Sequence, residues 1–111
     1  MTNINPLDAL GDPTRRQLFE RLRQGPCSVN ELMSVVAISQ PAVSQHLKVL
    51  REAQLVKVEK RAQQRIYRLN PIGLAELRRY TEGIWEDVLR AFGEEAERMA
   101  NAENTRRETL G

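Results

Sequence analysis

Residues 39–50 read SQPAVSQHLKVL and combine two patterns on one predicted helix. Val43, Leu47 and Leu50 recur at the i, i+4, i+7 spacing of a helix face that packs on a core. The opposite face carries short or amide side chains that can hydrogen-bond to base edges, and one cation suited to phosphate. These side chains are Gln40, Ser44, Gln45 and Lys48. The segment therefore predicts a helix that lies in a DNA groove.

The positive charge of the chain is concentrated around this helix. The 111 residues have a net charge of +2. The net charge is 0 for residues 1–39, +5 for residues 40–68 (seven basic, two acidic) and −3 for residues 69–111. A local excess of this kind is expected where one part of a domain meets a polyanion. A solvated basic face without a partner is the alternative.

Cap and proline signals predict the helices before this segment. A short helix is expected around Pro6–Leu10, and a second from Asp12-Pro13 to the stop at Gly25-Pro26. Ser28 and Glu31 have the S-x-x-E spacing of a capping box, so a third helix follows. The fourth helix is capped by residue 39 or 40. Since only about three residues separate these last two helices, they form a helix-turn-helix candidate.

The period changes from helical to alternating after residue 53. Val56 and Val58 alternate with the charged residues Lys57 and Glu59. Tyr67 and Leu69 alternate with Ile66 and Arg68 in the same way, so the two segments predict a β-hairpin. The tip, residues 60–64, contains no Gly, Asn, Asp or Pro. A tight two-residue turn is therefore disfavoured, and a longer, looser loop is expected.

Asn70-Pro71 repeats the cap-plus-proline signal and starts a long last helix. Its apolar stripe is too broad for one small core to cover from one side, so a partner subunit is expected to cover it. Packing wholly within the monomer is the alternative. The stripe consists of Leu74, Leu77, Ile84, Trp85, Val88, Leu89 and Phe92. We expect one domain over residues 1–98 and a frayed or disordered tail over 99–111.

Several classes of protein are disfavoured by the composition. Cys27 is the single cysteine, so no internal disulfide forms, and with His46 as the single histidine one chain cannot supply a structural zinc site. No basic leader or long apolar run predicts secretion or membrane insertion, so a cytoplasmic protein is expected. There is no Gly-rich phosphate loop or paired carboxylate motif. The sequence therefore predicts neither an enzyme nor a cofactor.

Four runs in this order make residues 7–92 resemble the ArsR/SmtB winged-helix transcriptional repressors of bacteria. The runs are LGDPTRRQLFERL, SVNEL, SQPAVSQHLKVLREAQLV and RIYRLNPIGLAEL. The resemblance implies a mainly α winged helix-turn-helix of about five helices with a small β-hairpin, the two-stranded wing. It also implies a homodimer, formed through the first and last helices, that binds a palindromic operator in double-stranded DNA. An inducer or metal usually releases such a repressor.

Site residues follow from the helix pattern and from the resemblance. Gln40 and Ser44 are the best candidates for base edges, and Lys48 and Arg51 for phosphates, while the wing approaches the adjacent minor groove or backbone. Simple polar surface is the alternative for each. The predicted DNA-binding residues are Ser39, Gln40, Pro41, Ser44, Gln45, His46, Lys48, Arg51, Lys60, Arg61, Gln63, Gln64 and Arg65. The predicted dimer interface is Ile4, Leu7, Leu10, Leu77, Ile84, Trp85, Val88, Leu89 and Phe92.

Other positions have competing explanations. Arg15 and Arg16 can bind phosphate or pair locally with Asp12. His46 borders the apolar stripe, so packing or a phosphate contact is favoured over metal ligation. Where the family commonly has glycine, Gln54 would carry a modest strain of about 1 kcal/mol in a left-handed conformation, unless the helix ends differently.

The signal that controls the protein is left open by the sequence. The resemblance implies Cys-x-Cys or His-rich ligand pairs in metal sensors and two cysteines in persulfide sensors, and this chain has neither pattern. No metal is therefore expected. The inducer is an unidentified small molecule or protein, or there is none. The functional alternative to a DNA-binding repressor is a winged-helix protein-interaction module.

Overall fold

The structure is a computed structural model that describes residues 4–110. It is mainly helical with one three-stranded antiparallel sheet, which confirms the predicted winged helix-turn-helix. It differs from the prediction by a short additional strand and by a sixth helix among the described residues. In chain order the elements are α1 Pro6–Ala9, α2 Pro13–Leu22, β1 Cys27–Ser28, α3 Val29–Met33, α4 Gln40–Glu52, β2 Val56–Arg61, β3 Gln64–Leu69, α5 Pro71–Phe92 and α6 Glu94–Leu110.

Side-chain caps start the helices where the sequence predicts them. The Asp12 carboxylate accepts a bond of 3.0 Å from the Arg15 backbone N–H at the start of α2. Both bonds of the Ser28–Glu31 capping box are present at α3. Of the two candidates at α4, the serine, Ser39, is the cap. These caps satisfy backbone donors that would otherwise have no partner in the first turn.

The cap at Asp12 predicts a pH dependence of stability. The bond from the Arg15 backbone and the Arg15 guanidinium hold the pKa of Asp12 below its ordinary value. A carboxyl with a lowered folded pKa stabilises above its unfolded pKa of about 4, and this contribution is lost as the pH falls through the folded value. Asp12→Asn keeps a cap acceptor but does not titrate. Urea denaturation should show the wild type more stable at neutral pH and the difference vanishing in acid; a constant difference would contradict this explanation.

One core joins the helix-turn-helix to the sheet. The buried α4 residues are the three predicted ones, Val43, Leu47 and Leu50. Cys27 is 1% exposed and shares this core with Leu32, and the two residues occupy the positions of a hydrophobic staple on either side of the Ser28 cap. Burial raises the pKa of the Cys27 thiol, which keeps it a neutral packing group.

The wing is a tighter hairpin than predicted. β2 and β3 pair up to Arg61 opposite Gln64, so the turn consists of two residues, Ala62 and Gln63. Ala62 adopts a φ of 53°. The prediction of a loose loop was wrong because strand pairing continues to the tip and offsets the cost of a left-handed alanine, which is about 1 kcal/mol. β1 pairs with the other edge of β3.

The end of α4 is joined directly to the start of α5. Gln54 has a φ of 62°, so the left-handed alternative is the observed one. The Leu55 N–H donates to the Leu50 carbonyl and the Gln54 N–H to the Arg51 carbonyl, which are the two bonds of a Schellman cap. The Gln54 carbonyl then accepts a 2.8 Å bond from the Gly73 N–H. The C-terminal cap of α4 is therefore hydrogen-bonded directly to the first turn of α5.

The chain divides into two compact units, one ending at Leu77 and the other starting at Arg78. The second unit contains the rest of α5 and the polar helix α6.

The segment predicted to be frayed, residues 99–111, lies mostly in helix α6. Its Ala, Glu and Arg residues are strong helix formers. The domain limits of 1–98 stay a prediction, and residues 1–3 and 111 lie outside the described part. No described helix is both long and apolar enough to cross a membrane.

Candidate nucleic-acid interface

A groove of about 650 Å³ lies between α4 and the wing. We call it the helix–wing groove. Five predicted DNA-binding residues line it, four from the helix and one from β3, and all five are exposed. They are Ser44, Gln45, Lys48, Arg51 and Arg65. The fold therefore brings two predicted parts of the site to one surface.

A second groove of about 260 Å³ lies where the start of α4 meets the tip of the wing. Gln40 lines it from the helix, Gln63, Gln64 and Arg65 from the wing, and Asn30 from α3. The side chains are amides with one guanidinium. They offer donors and acceptors of the kind that hydrogen-bond base edges and phosphates.

Five cations around the helix–wing groove form no ion pair within residues 4–110. Of the twelve other basic residues in that range, seven form ion pairs and five do not. The unpaired cations around the groove are Lys48, Arg51, Lys57, Lys60 and Arg65. Four of them line the groove together with one carboxylate, Glu52. Unpaired cations on one surface create a positive potential that attracts phosphates.

The two faces of the wing carry different charges. Lys60 and Arg65 are opposite each other in the strand register and share the face of Val58, which packs against the core. Arg61 lies on the other face, where its Nη2 is 3.1 Å from Oε1 of Glu59. The carboxylate compensates the charge of Arg61. Arg65 is therefore the stronger phosphate candidate of the two.

His46 packs against α2 rather than lining either groove. Its Nδ1 is 3.3 Å from Nη1 of Arg15 and 3.9 Å from a carboxylate oxygen of Asp12. Arg15 can donate to Nδ1 only while that nitrogen carries no proton. The Arg15 Nε donates to the Ala9 carbonyl at 2.6 Å, and Arg16 also donates to carbonyls after α1. Both arginines thus cap the end of α1, a role not predicted from the sequence, and His46 joins α4 to α2.

Ser39 and Pro41 lie at the start of α4 and line neither groove. Both are exposed, and the Ser39 hydroxyl accepts a bond of 3.3 Å from the Ala42 N–H. Ser39 therefore has a structural use as the cap, and its predicted DNA contact stays a prediction, as does that of Pro41.

Lys57 and Asn30 line the grooves but are not among the residues predicted from the sequence. Lys57 lines the helix–wing groove from β2, and Asn30 lines the smaller groove from α3. Because Lys57 alternates with Val56 and Val58, the sequence predicts that its side chain is exposed on the wing. Asn30 could not have been selected from the sequence, because its place beside Gln40 depends on how α3 crosses α4.

The predicted dimer residues divide into two groups. The first packs partly against the core of the same chain and consists of Ile4, Leu10 and Leu77. The second has large exposed apolar side chains, Leu7, Ile84, Trp85, Leu89 and Phe92, exposed by 37% to 62%. Val88 is half-buried. Exposed apolar side chains in such number are typical of a contact surface.

Comparisons with known proteins agree with this architecture. The family described as "Bacterial regulatory protein, arsR family" matches residues 12–58. The HTH-type transcriptional regulator Rv2034 of Mycobacterium tuberculosis is 45% identical over 86 residues, which cover 78% of this chain and 80% of the relative. The Bacillus subtilis transcriptional repressor SdpR is 32% identical over 60% of this chain and 73% of its own length.

Solved structures show the same similarity in three dimensions. A structure described as a possible transcriptional regulator for arsenical resistance is 43% identical with a TM-score of 0.68, covering 74% of this chain and 85% of its own. The transcriptional repressor BigR from Xylella fastidiosa is 34% identical with a TM-score of 0.59, covering 79% and 83%. The chain therefore belongs to the ArsR family of bacterial regulatory proteins, which are transcriptional regulators and not enzymes.

Proposed function

We propose that the protein is a homodimeric transcriptional repressor that binds a palindromic DNA operator in the bacterial cytoplasm. The observation that carries this proposal is the helix–wing groove, where unpaired cations adjoin the exposed polar face of α4. Cations supply affinity for any DNA, and amide and hydroxyl groups on a helix can distinguish base pairs. The relatives named as repressors support the repressing role.

The proposed contacts separate into two kinds. Gln40, Ser44 and Gln45 read base edges in the major groove, because they are exposed side chains on the first half of α4. Lys48 and Arg65, with the other unpaired cations of the groove, bind phosphates and set the register of the helix on the duplex.

Substitution of Gln40 tests the base-reading role. In Gln40→Ala the hydrogen bonds of one amide to a base are lost, so discrimination at one operator position should fall by about 1–3 kcal/mol. The measurement is the affinity for a set of operator duplexes, each with one base pair changed. Asn30→Ala is the matched amide control on α3 and should alter affinity without relaxing a single position. If Gln40→Ala weakened binding to every duplex equally, the assignment of α4 as the reading helix would be wrong.

The second half of the proposal is a two-fold dimer that buries the exposed apolar residues of α5. Such a dimer can place two α4 helices about 34 Å apart, the spacing of successive major grooves on one side of the duplex. A palindromic operator follows from that symmetry.

Ile84→Glu tests the dimer. Ile84 is 45% exposed, and a carboxylate there would have to be buried without a partner in the interface. We expect the variant to be a monomer by analytical ultracentrifugation and to lose most operator affinity. Ile72→Glu is the control, because Ile72 is 65% exposed but lies outside the predicted stripe. A dimeric Ile84→Glu, or a monomeric wild type that binds the operator fully, would contradict the proposed interface.

A further inference from the structure

The outer face of the wing carries one carboxylate, Glu59, among the cations Lys57, Arg61 and Arg68, and the carboxylate pairs with the two arginines. In the β2–β3 register Glu59 is opposite Ile66 and Lys57 is opposite Arg68. Arg61 is two residues after Glu59 on β2. Because residues two apart on a strand point to the same side, Glu59, Arg61 and Arg68 share one face. We call them the outer-face cluster. Lys60 and Arg65 occupy the opposite, core-facing side.

One oxygen of Glu59 bridges both guanidinium groups. Its Oε1 is 3.1 Å from Nη2 of Arg61 and also accepts a hydrogen bond from Nη2 of Arg68. The side chains are 46% exposed for Glu59, 68% for Arg61 and 33% for Arg68. The buried Nε of Arg68 has no hydrogen-bond partner among the described residues, so the Glu59 contact at Nη2 is the ion pair that compensates this guanidinium.

This pairing opposes binding of the same arginines to DNA. An arginine that contacts a phosphate must leave Glu59, and the released carboxylate then repels the phosphate. Ion pairs this exposed are weak, so the effect is a graded reduction of affinity rather than a block. Lys60 and Arg65 have no such competitor within the part of the chain that the structure describes.

We propose that Glu59 is a specificity-determining residue that withholds Arg61 and Arg68 from the phosphate backbone of non-operator DNA. This inference rests on the proposed DNA-binding function. On a random sequence the protein can tilt so that any unpaired cation reaches a phosphate. On the operator the base contacts of α4 fix its orientation. Withholding two arginines therefore reduces non-specific binding more than operator binding, and raises the ratio between them.

The test compares wild type with Glu59→Gln on two duplexes, the protein's own promoter region and a scrambled sequence, over a range of salt concentrations. Glutamine keeps an acceptor for Arg68 but removes the charge. We expect affinity for the scrambled duplex to rise about threefold to tenfold, with a steeper salt dependence, and a smaller gain on the promoter. Glu76→Gln, the same charge change at an exposed position on α5, should change neither.

A second substitution identifies the arginine responsible. Arg61→Ala should have little effect in the wild type but should remove much of the gain in the Glu59→Gln background, because only there is Arg61 available to phosphate. If Glu59→Gln behaves like Glu76→Gln while the wild type binds DNA with a normal salt dependence, this inference is wrong and the proposed function stands. If the wild type binds neither duplex, both are wrong.

Discussion

Gly73→Ala should be one of the most destabilising single substitutions in this chain. A Cβ at position 73 would lie 2.4 Å from the carbonyl oxygen of Gln54, and that oxygen is backbone held in the α4 cap. The start of α5 would have to move away from the end of α4, which would also strain the hydrogen bond from Gly73 to Gln54. Forced rearrangements of this kind cost about 1–3 kcal/mol or more, and we expect the upper part of that range.

Urea denaturation at fixed protein concentration measures this effect. Gly83→Ala is the matched control, because a Cβ there meets nothing within 4 Å and alanine is the better helix former. It should stabilise α5 by up to about 1 kcal/mol. Equal stability of Gly73→Ala and wild type would show that the joint between α4 and α5 is not as close as the structure has it.

Removal of Lys48 and Arg65 together should have the largest effect on DNA binding. Each is exposed, lines the helix–wing groove and has no ion pair among the described residues. In a dimer the double alanine variant loses four phosphate contacts. At about 0.1 M salt each contact contributes nearly tenfold in affinity, so we expect a loss of about 10³- to 10⁴-fold on operator and scrambled DNA alike.

The salt dependence distinguishes this explanation from unfolding. The slope of log affinity against log salt should become shallower by about three to four units in the double variant. The control is Arg23→Ala combined with Arg98→Ala, which removes the same charge from exposed residues outside the groove. If the control loses as much affinity, net charge rather than the groove determines binding.

The sequence predicts the parts of this fold that depend on local chemistry. Asp12, Ser28 and Ser39 precede helices because their side-chain oxygens accept hydrogen bonds from backbone N–H groups of the first turn. The buried face of α4 follows from its helical period. The groove is predictable in part. Lys48 belongs to a segment with helical periodicity and Arg65 to one with strand periodicity, and a winged helix-turn-helix brings these two segments together.

What the sequence does not predict depends on contacts between distant residues. β1 is two residues long and forms only because the edge of β3 is available. The tight turn at Ala62 contradicts local turn preferences and follows from the pairing of the strands. Glu59 pairs with Arg61, and Arg15 contacts His46 across two helices. Each of these depends on register or crossing angle, which local patterns do not specify.

Binding of the purified protein to its own promoter region, beside a scrambled duplex and across salt concentrations, tests the central claim most directly. If α4 and the wing form a DNA-reading surface, the promoter should bind more tightly than the scrambled sequence. Affinity for both should fall steeply, by about 10³-fold or more between 50 and 200 mM salt for a dimer with at least six phosphate contacts. Equal affinity for the two duplexes, or affinity that does not respond to salt, would contradict the claim and favour a protein-interaction module.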